Sequence, residues 1–93
     1  MIKSFKDRRP ESIFDGKRAR GLPENIQQRA RRKLRMLDAA TVIEDLSVPR
    51  SNRLEKLRGE RRGQYSIRIS DQWRLCFMWK DSNALDVEIV DYH

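Results

Sequence analysis

Few side chains in this sequence are equipped for chemistry, and most of them lie in its second half. Arg58, Arg61 and Arg62 crowd one turn region, Arg74 follows in an alternating stretch, and Tyr92 and His93 close the sequence. A guanidinium is a rigid fork that matches two phosphate oxygens, and an imidazole or a phenol can move a proton. Arginines beside a tyrosine and the only histidine therefore suit a phosphodiester. Each residue also has a plainer reading. Flanked by aromatics, the stem of Arg74 would simply cover apolar surface. Tyr92 would be an edge-strand residue with a wet hydroxyl, and His93 an ordinary chain end.

The same inventory excludes much. The lone Cys76 permits no intrachain disulfide and no cysteine-based zinc site, and between Leu75 and Phe77 it reads as inert packing. With one histidine, any serine or cysteine triad would rest on residue 93. Asp15-Gly16 and Asp81-Ser82 lack metal-ligand spacing, and no glycine-rich phosphate loop follows a strand. No metal and no cofactor are expected. The 93 residues, 38% hydrophobic, fit a single domain spanning 1–93. No apolar run approaches the roughly 18 residues of a membrane span. The opening Met1-Ile2-Lys3-Ser4-Phe5-Lys6 lacks the apolar core of a signal peptide, so the cytoplasm is the expected compartment.

Charge is distributed steeply along the chain. Residues 1–35 hold 12 basic and 4 acidic side chains, residues 36–70 hold 7 and 5, and residues 71–93 hold 2 and 5. A net charge of +7 concentrated at one end points to a polyanion such as RNA, or to an acidic partner protein.

The elements that must position these residues follow from periodicity. Ile2 and Ser4 alternate with Lys3 and Phe5, which predicts a short N-terminal strand. Pro10, placed where a first turn tolerates it, and Gly16 bracket a short helix from about Arg9 to Asp15. Ile26, Ala30, Leu34, Leu37 and Thr41 draw one apolar stripe along a helix over 24–40, with Arg29, Arg31, Arg32, Lys33 and Arg35 on the remaining face. Thr41, with Glu44 three residues on, predicts a capped further turn. Beyond residue 53 the period becomes alternating. Tyr65, Ile67 and Ile69 form one set, Trp73, Leu75, Phe77 and Trp79 a second, and Leu85, Val87 and Ile89 a third. Each predicts a strand with one buried face. Arg53 to Arg58 would be a further strand, with a bulge or a strand end near Glu55-Lys56 because Leu54 and Leu57 fall on opposite faces. The fold class is α+β: an N-terminal strand and helices packed as two layers on an antiparallel meander. On strand parity Arg74 leaves the core, and Tyr92 shares parity with Glu88 and Val90.

Several segments together resemble the HigB toxins, or plasmid-maintenance killer proteins, of the RelE/ParE superfamily. They are Met1 to Lys6, Leu54-Glu55-Lys56-Leu57-Arg58-Gly59-Glu60-Arg61, Gly63-Gln64-Tyr65-Ser66-Ile67, Gln72-Trp73-Arg74 and Val90-Asp91-Tyr92-His93, the last the most specific. The resemblance runs from the first residue to the last. It implies the RelE-like fold and the toxin of a type II toxin–antitoxin pair, a ribosome-dependent endoribonuclease that cleaves mRNA without a metal. It also implies a helix-turn-helix antitoxin of the HigA type, with operator DNA bound only through the complex. Carried over by motif, the site residues are Arg58, where relatives usually have lysine, Arg74, Asp91, Tyr92 and His93. The two arginines would neutralise charge on the phosphate. His93 would handle a proton with Asp91 orienting it, and Tyr92 would position the ribose or a base. Where relatives carry a histidine, this sequence has Glu55, a weaker base among Arg53, Lys56 and Arg58. The basic residues Arg29, Arg32, Arg61 and Arg62 would meet RNA or the ribosome.

Two other readings share this architecture. One is a ParE-like inhibitor that poisons DNA gyrase by binding, which would not need Asp91-Tyr92-His93 with Arg74. The other is a degenerate toxin that retains only antitoxin binding.

Overall fold

A computed structural model describes residues 1–91; Tyr92 and His93 lie outside the described residues. Asp7 opens α1 (Arg8–Phe14), its carboxylate accepting from the Arg9 backbone N–H at 2.9 Å, and Pro10 sits buried in the first turn. A loop leads to α2 (Glu24–Ala39), which starts after Pro23 with no side-chain cap. Burial supplies what the cap does not. Ile26, Ala30, Leu34 and Leu37 face inward as the periodicity predicts, and fully burying one leucine is worth roughly 1.5–3 kcal/mol.

Four antiparallel strands form the sheet: β1 (Glu55–Lys56), β2 (Gln64–Arg68), β3 (Trp73–Lys80) and β4 (Asn83–Asp91), in the order β1-β2-β3-β4. Tyr65 pairs with Phe77, Ile67 with Leu75, and Leu75 with Ile89, so one face carries the core against α1 and α2. Asp81 and Ser82 both take positive φ in the tight β3–β4 turn, the conformation that matches the twist of a two-residue hairpin. The result is the expected two-layer α+β arrangement.

Four local expectations need correction. First, the N-terminal segment runs parallel to β4 and touches it through bridges at Ile2–Ala84 and Phe5–Val87. Ile2 and Phe5 both pack on the core, whereas simple alternation would separate them. The cause is a bulge in β4, where Asp86 adopts φ 52 and donates its N–H to Ser4 Oγ at 2.8 Å. Second, that extra residue flips the parity ahead of it. Ala84, not Leu85, occupies the core position, and Leu85 pairs with Met78 on the far face. Third, α2 ends before Thr41, which is exposed, and Ala40 is buried in its place. The following turn is closed not by Thr41 and Glu44 but by Asp45, which accepts from the Thr41 and Val42 backbone N–H groups. Those two bonds hold the Asp45 carboxyl below the usual range. Fourth, the strand predicted over 53–58 is cut to Glu55–Lys56, with the expected strand end there, because Arg53 is left-handed at φ 46 and Arg58 turns into a short 3-10 segment at Gly59–Arg61.

Candidate active site

The face of the sheet turned away from the helices carries the polar chemistry. In register across it lie Glu55 and Ser66, Ser66 and Cys76, Arg68 and Arg74, and Cys76 and Glu88. Arg68 directly opposite Arg74 sets two like charges side by side, an arrangement that destabilises a ladder unless something divides them. Their side chains part company. Arg68 turns to Asp71 in the β2–β3 turn, in an ion pair. Arg74 turns inward, only 7% exposed, where its Nε donates to Ser66 Oγ at 2.9 Å and its Nη2 to the Arg53 carbonyl at 2.6 Å. The left-handed turn at Arg53 is what presents that carbonyl.

Arg74 thus forms the floor of a groove of about 290 Å³ lined by Arg53, Glu55, Arg68, Ser70, Asp71 and itself. Of the sequence-derived candidates, Glu55 and Arg74 come together here. Arg58 is exposed at the end of the β1 segment and does not line the groove. Asp91 pairs with Trp73 and follows Val90, so it leaves the sheet on the opposite face from Arg74, and it accepts from Gln72 Nε2 at 3.2 Å. Tyr92 and His93 lie outside the described residues. On α2, Arg29 and Arg32 are exposed, as is Arg62.

Arg61 has internal work as well. Its Nη2 lies 3.1 Å from Glu88 Oε1, and its Nη1 donates to Gln64 at 3.1 Å. Lys6 Nζ meets the other Glu88 oxygen at 2.9 Å. Burial pushes the Glu88 carboxyl up, but the hydrogen bonds and charges of Lys6 and Arg61 outweigh it and hold the group below the usual carboxylate range. Glu88 therefore ties the N-terminal segment and the turn after Arg58 to β4. Beside it Cys76 is buried, and burial pushes its thiol up.

Sequence reasoning missed Ser66, Arg53, Arg68 and Glu88. Ser66 shares a face with Arg74 and was within reach by counting back from the Ser70-Asp71 turn. The Arg53 carbonyl gives no sequence signal, because it acts through backbone conformation.

The model of the HigB-like toxins, described as the RelE-like toxin of the type II toxin–antitoxin system HigB, matches residues 3–93. This chain belongs to the HigB-like toxin family. It is 44% identical over 87 residues to Toxin HigB-1 of Vibrio cholerae, covering 92% of each chain. It is 32% identical over 93 residues to Endoribonuclease HigB of Proteus vulgaris, covering both chains fully. Among solved structures, a chain of the heterotetrameric YoeB–YefM toxin–antitoxin complex of Staphylococcus aureus superposes with a TM-score of 0.61 at 19% identity. That match covers 100% of this chain and 98% of the other, and shares the fold. HigB-like membership fixes the chain as the toxin component of a type II pair.

Proposed function

We propose that this HigB-like toxin is an endoribonuclease that cleaves mRNA on the translating ribosome in the cytoplasm, and that residues 1–93 act as one toxin domain. The observation that carries the reading is the fixed Arg74 guanidinium on the floor of an open polar groove. A buried arginine costs desolvation, and this one is held by Ser66 and the Arg53 carbonyl with the groove before it. That is a preorganised cation aimed at a place where negative charge develops. The name of the Proteus vulgaris relative, an endoribonuclease, supports the same activity here.

In the proposed reaction a ribose 2′-hydroxyl gives up its proton and its oxygen attacks the adjacent phosphorus. The new O2′–P bond forms as the P–O5′ bond breaks, leaving a 2′,3′-cyclic phosphate and a 5′-hydroxyl after protonation of the leaving oxygen. Because the nucleophile is internal, no metal is required to generate it. Arg74 offsets charge on the non-bridging oxygens from the groove floor, and Arg58, exposed at the end of β1 outside the groove, is the second cation assigned to them. His93 carries protons and Tyr92 positions the ribose or a base; Asp91, which leaves the sheet on the face opposite Arg74, acts only by orienting His93. Glu55 in the groove wall is a supporting base. Arg29, Arg32 and Arg62, exposed on the surface, and the remaining capacity of Arg61 meet RNA or the ribosome.

The expected partner is a HigA-type helix-turn-helix antitoxin that silences the toxin and carries the pair to operator DNA. The occurrence of the similar Staphylococcus aureus chain in a toxin–antitoxin complex fits a partner of this kind. Brief induction without the antitoxin tests the activity. New mRNA 5′ ends within translated regions, absent from an Arg74→Ala strain, are the expected outcome. Intact mRNA with DNA breaks and a damage response would show gyrase poisoning instead.

A further inference from the structure

The Arg74 groove is not isolated. Arg68, Ser70 and Asp71 also line a second depression of about 340 Å³ that reaches Arg29 and Trp73. Arg29 and Arg68 in turn line a third, of about 200 Å³, with Arg32, Lys33 and Ser51. Shared walls make the three continuous, so a path leads from the far face of the sheet, over the β2–β3 turn, onto the exposed face of α2. Its cations outnumber its acids: Arg53, Arg74, Arg68, Arg29, Arg32 and Lys33 against Glu55 and Asp71.

Arg29 and Arg32 enter no ion pair among the described residues. Lys33 is held by Asn52 Oδ1 at 2.5 Å, and burial and the nearby Arg32 and Arg68 charges depress its proton affinity. Like charges this close are relieved by an anion that spans them. Among the described residues, Ile26, Ile69 and Trp73, which line the path, are buried, and the large apolar ones that are exposed, Met1, Val42, Val48 and Met78, all lie off it. A protein interface needs such anchors at its centre, whereas a polynucleotide backbone needs only spaced cations.

We infer that the path is a phosphate track for single-stranded RNA, along which the strand seated at Arg74 continues over Arg68 to Arg29, Arg32 and Lys33. The inference rests on the proposed RNA substrate and extends it to a site of binding at a distance from cleavage. Asp71, 98% exposed and paired with Arg68, occupies the place a phosphate takes when the strand binds.

The test uses purified full-length toxin and fluorescein-labelled, fully 2′-O-methylated RNAs of 4 and 12 nucleotides, which cannot be cleaved. Anisotropy is read across a salt series. For single strands each phosphate contact contributes about 0.7 to the slope of log K against log salt, about fivefold in affinity at 0.1 M salt. Arg29→Gln/Arg32→Gln is expected to lower the 12-mer slope by about 1.4 and its affinity about 25-fold, with the 4-mer unaffected. Asp71→Asn is expected to tighten the 12-mer, the opposite of what losing a merely structural ion pair would do. A melting curve confirms that each variant is folded.

Equal effects on both lengths, no effect on either, or no RNA binding by the unaltered protein would overturn the track. So would unchanged RNA affinity with weakened antitoxin binding, which would give the face to an acidic protein surface. Because the probes are not cleaved, failure of the track is separate from failure of the nuclease reading, which mRNA end mapping decides.

Discussion

Ser66 makes a prediction that discriminates between a site and a mere fold. Its hydroxyl accepts from Arg74 Nε at 2.9 Å, and both residues are buried. Ser66→Ala removes the acceptor and leaves a charged donor facing a methyl group. A hydrogen bond to a charged group is worth roughly 1.5–3 kcal/mol. If about 2 kcal/mol of that is felt in the transition state, the cleavage rate falls about 30-fold. The same loss felt in the folded state would lower Tm by about 8–16 °C for a domain of this size. Single-turnover cleavage of ribosome-bound mRNA and thermal melting separate the two. Because Arg74 is fixed for catalysis, kcat is expected to drop with little change in KM, and Ser66→Thr, which keeps the oxygen and suits a strand, should recover most of the rate. Arg74→Lys should not recover it, since an ammonium cannot reach both Ser66 and the Arg53 carbonyl as a planar fork does. An Ala variant with wild-type rate, or Ala and Thr variants equally impaired, would refute the positioning argument.

Glu88 bears on pH. Its folded-state proton affinity is depressed, so its contribution to stability is complete above the usual carboxylate value of 4.5 and is lost as pH falls through its lower folded value. Tm should therefore decline below that range more steeply in the native protein than in Glu88→Gln, which should be less stable at neutral pH; parallel pH curves would count against the brace. Cys76, buried with its thiol pushed up, should resist an alkylating reagent until the protein is unfolded, as mass spectrometry before and after denaturant would report. His93→Ala should abolish growth arrest while Glu55→Ala only weakens it; full arrest retained in the His93 variant would remove that residue from the proposed chemistry.

The layers, the buried stripe of α2 and the core parity of β3 were legible in the sequence because each rests on a period imposed by many residues at once. The exceptions occur where one residue resets the count. Asp86 adds a residue to β4 and so exchanges Leu85 for Ala84 at the core, a change that no window average detects. Arg53 turns left-handed without being glycine, which cuts the predicted strand short and at the same time supplies the carbonyl that fixes Arg74. Arg74 itself was legible as a residue leaving the core. That it is buried on the other face, held by Ser66, depended on register, and register follows from the length of a turn rather than from composition. The sequence pattern places Arg29, Arg31, Arg32, Lys33 and Arg35 together on one face of α2, yet its members differ. Arg31 donates to the Ile13 carbonyl at the end of α1, Lys33 reaches Asn52, and only Arg29, Arg32 and Arg35 stay exposed.

RNA cleavage by transesterification can be measured with purified toxin, a defined mRNA and programmed ribosomes. Product ends are analysed chemically, with Arg74→Ala as the control. The expected result is cleavage of ribosome-bound mRNA to a 2′,3′-cyclic phosphate and a 5′-hydroxyl, lost in the control and blocked by a single 2′-deoxy substitution at the cleaved position. Cleavage that survives the 2′-deoxy substitution would contradict the mechanism, and intact mRNA at stoichiometric toxin would contradict the function itself.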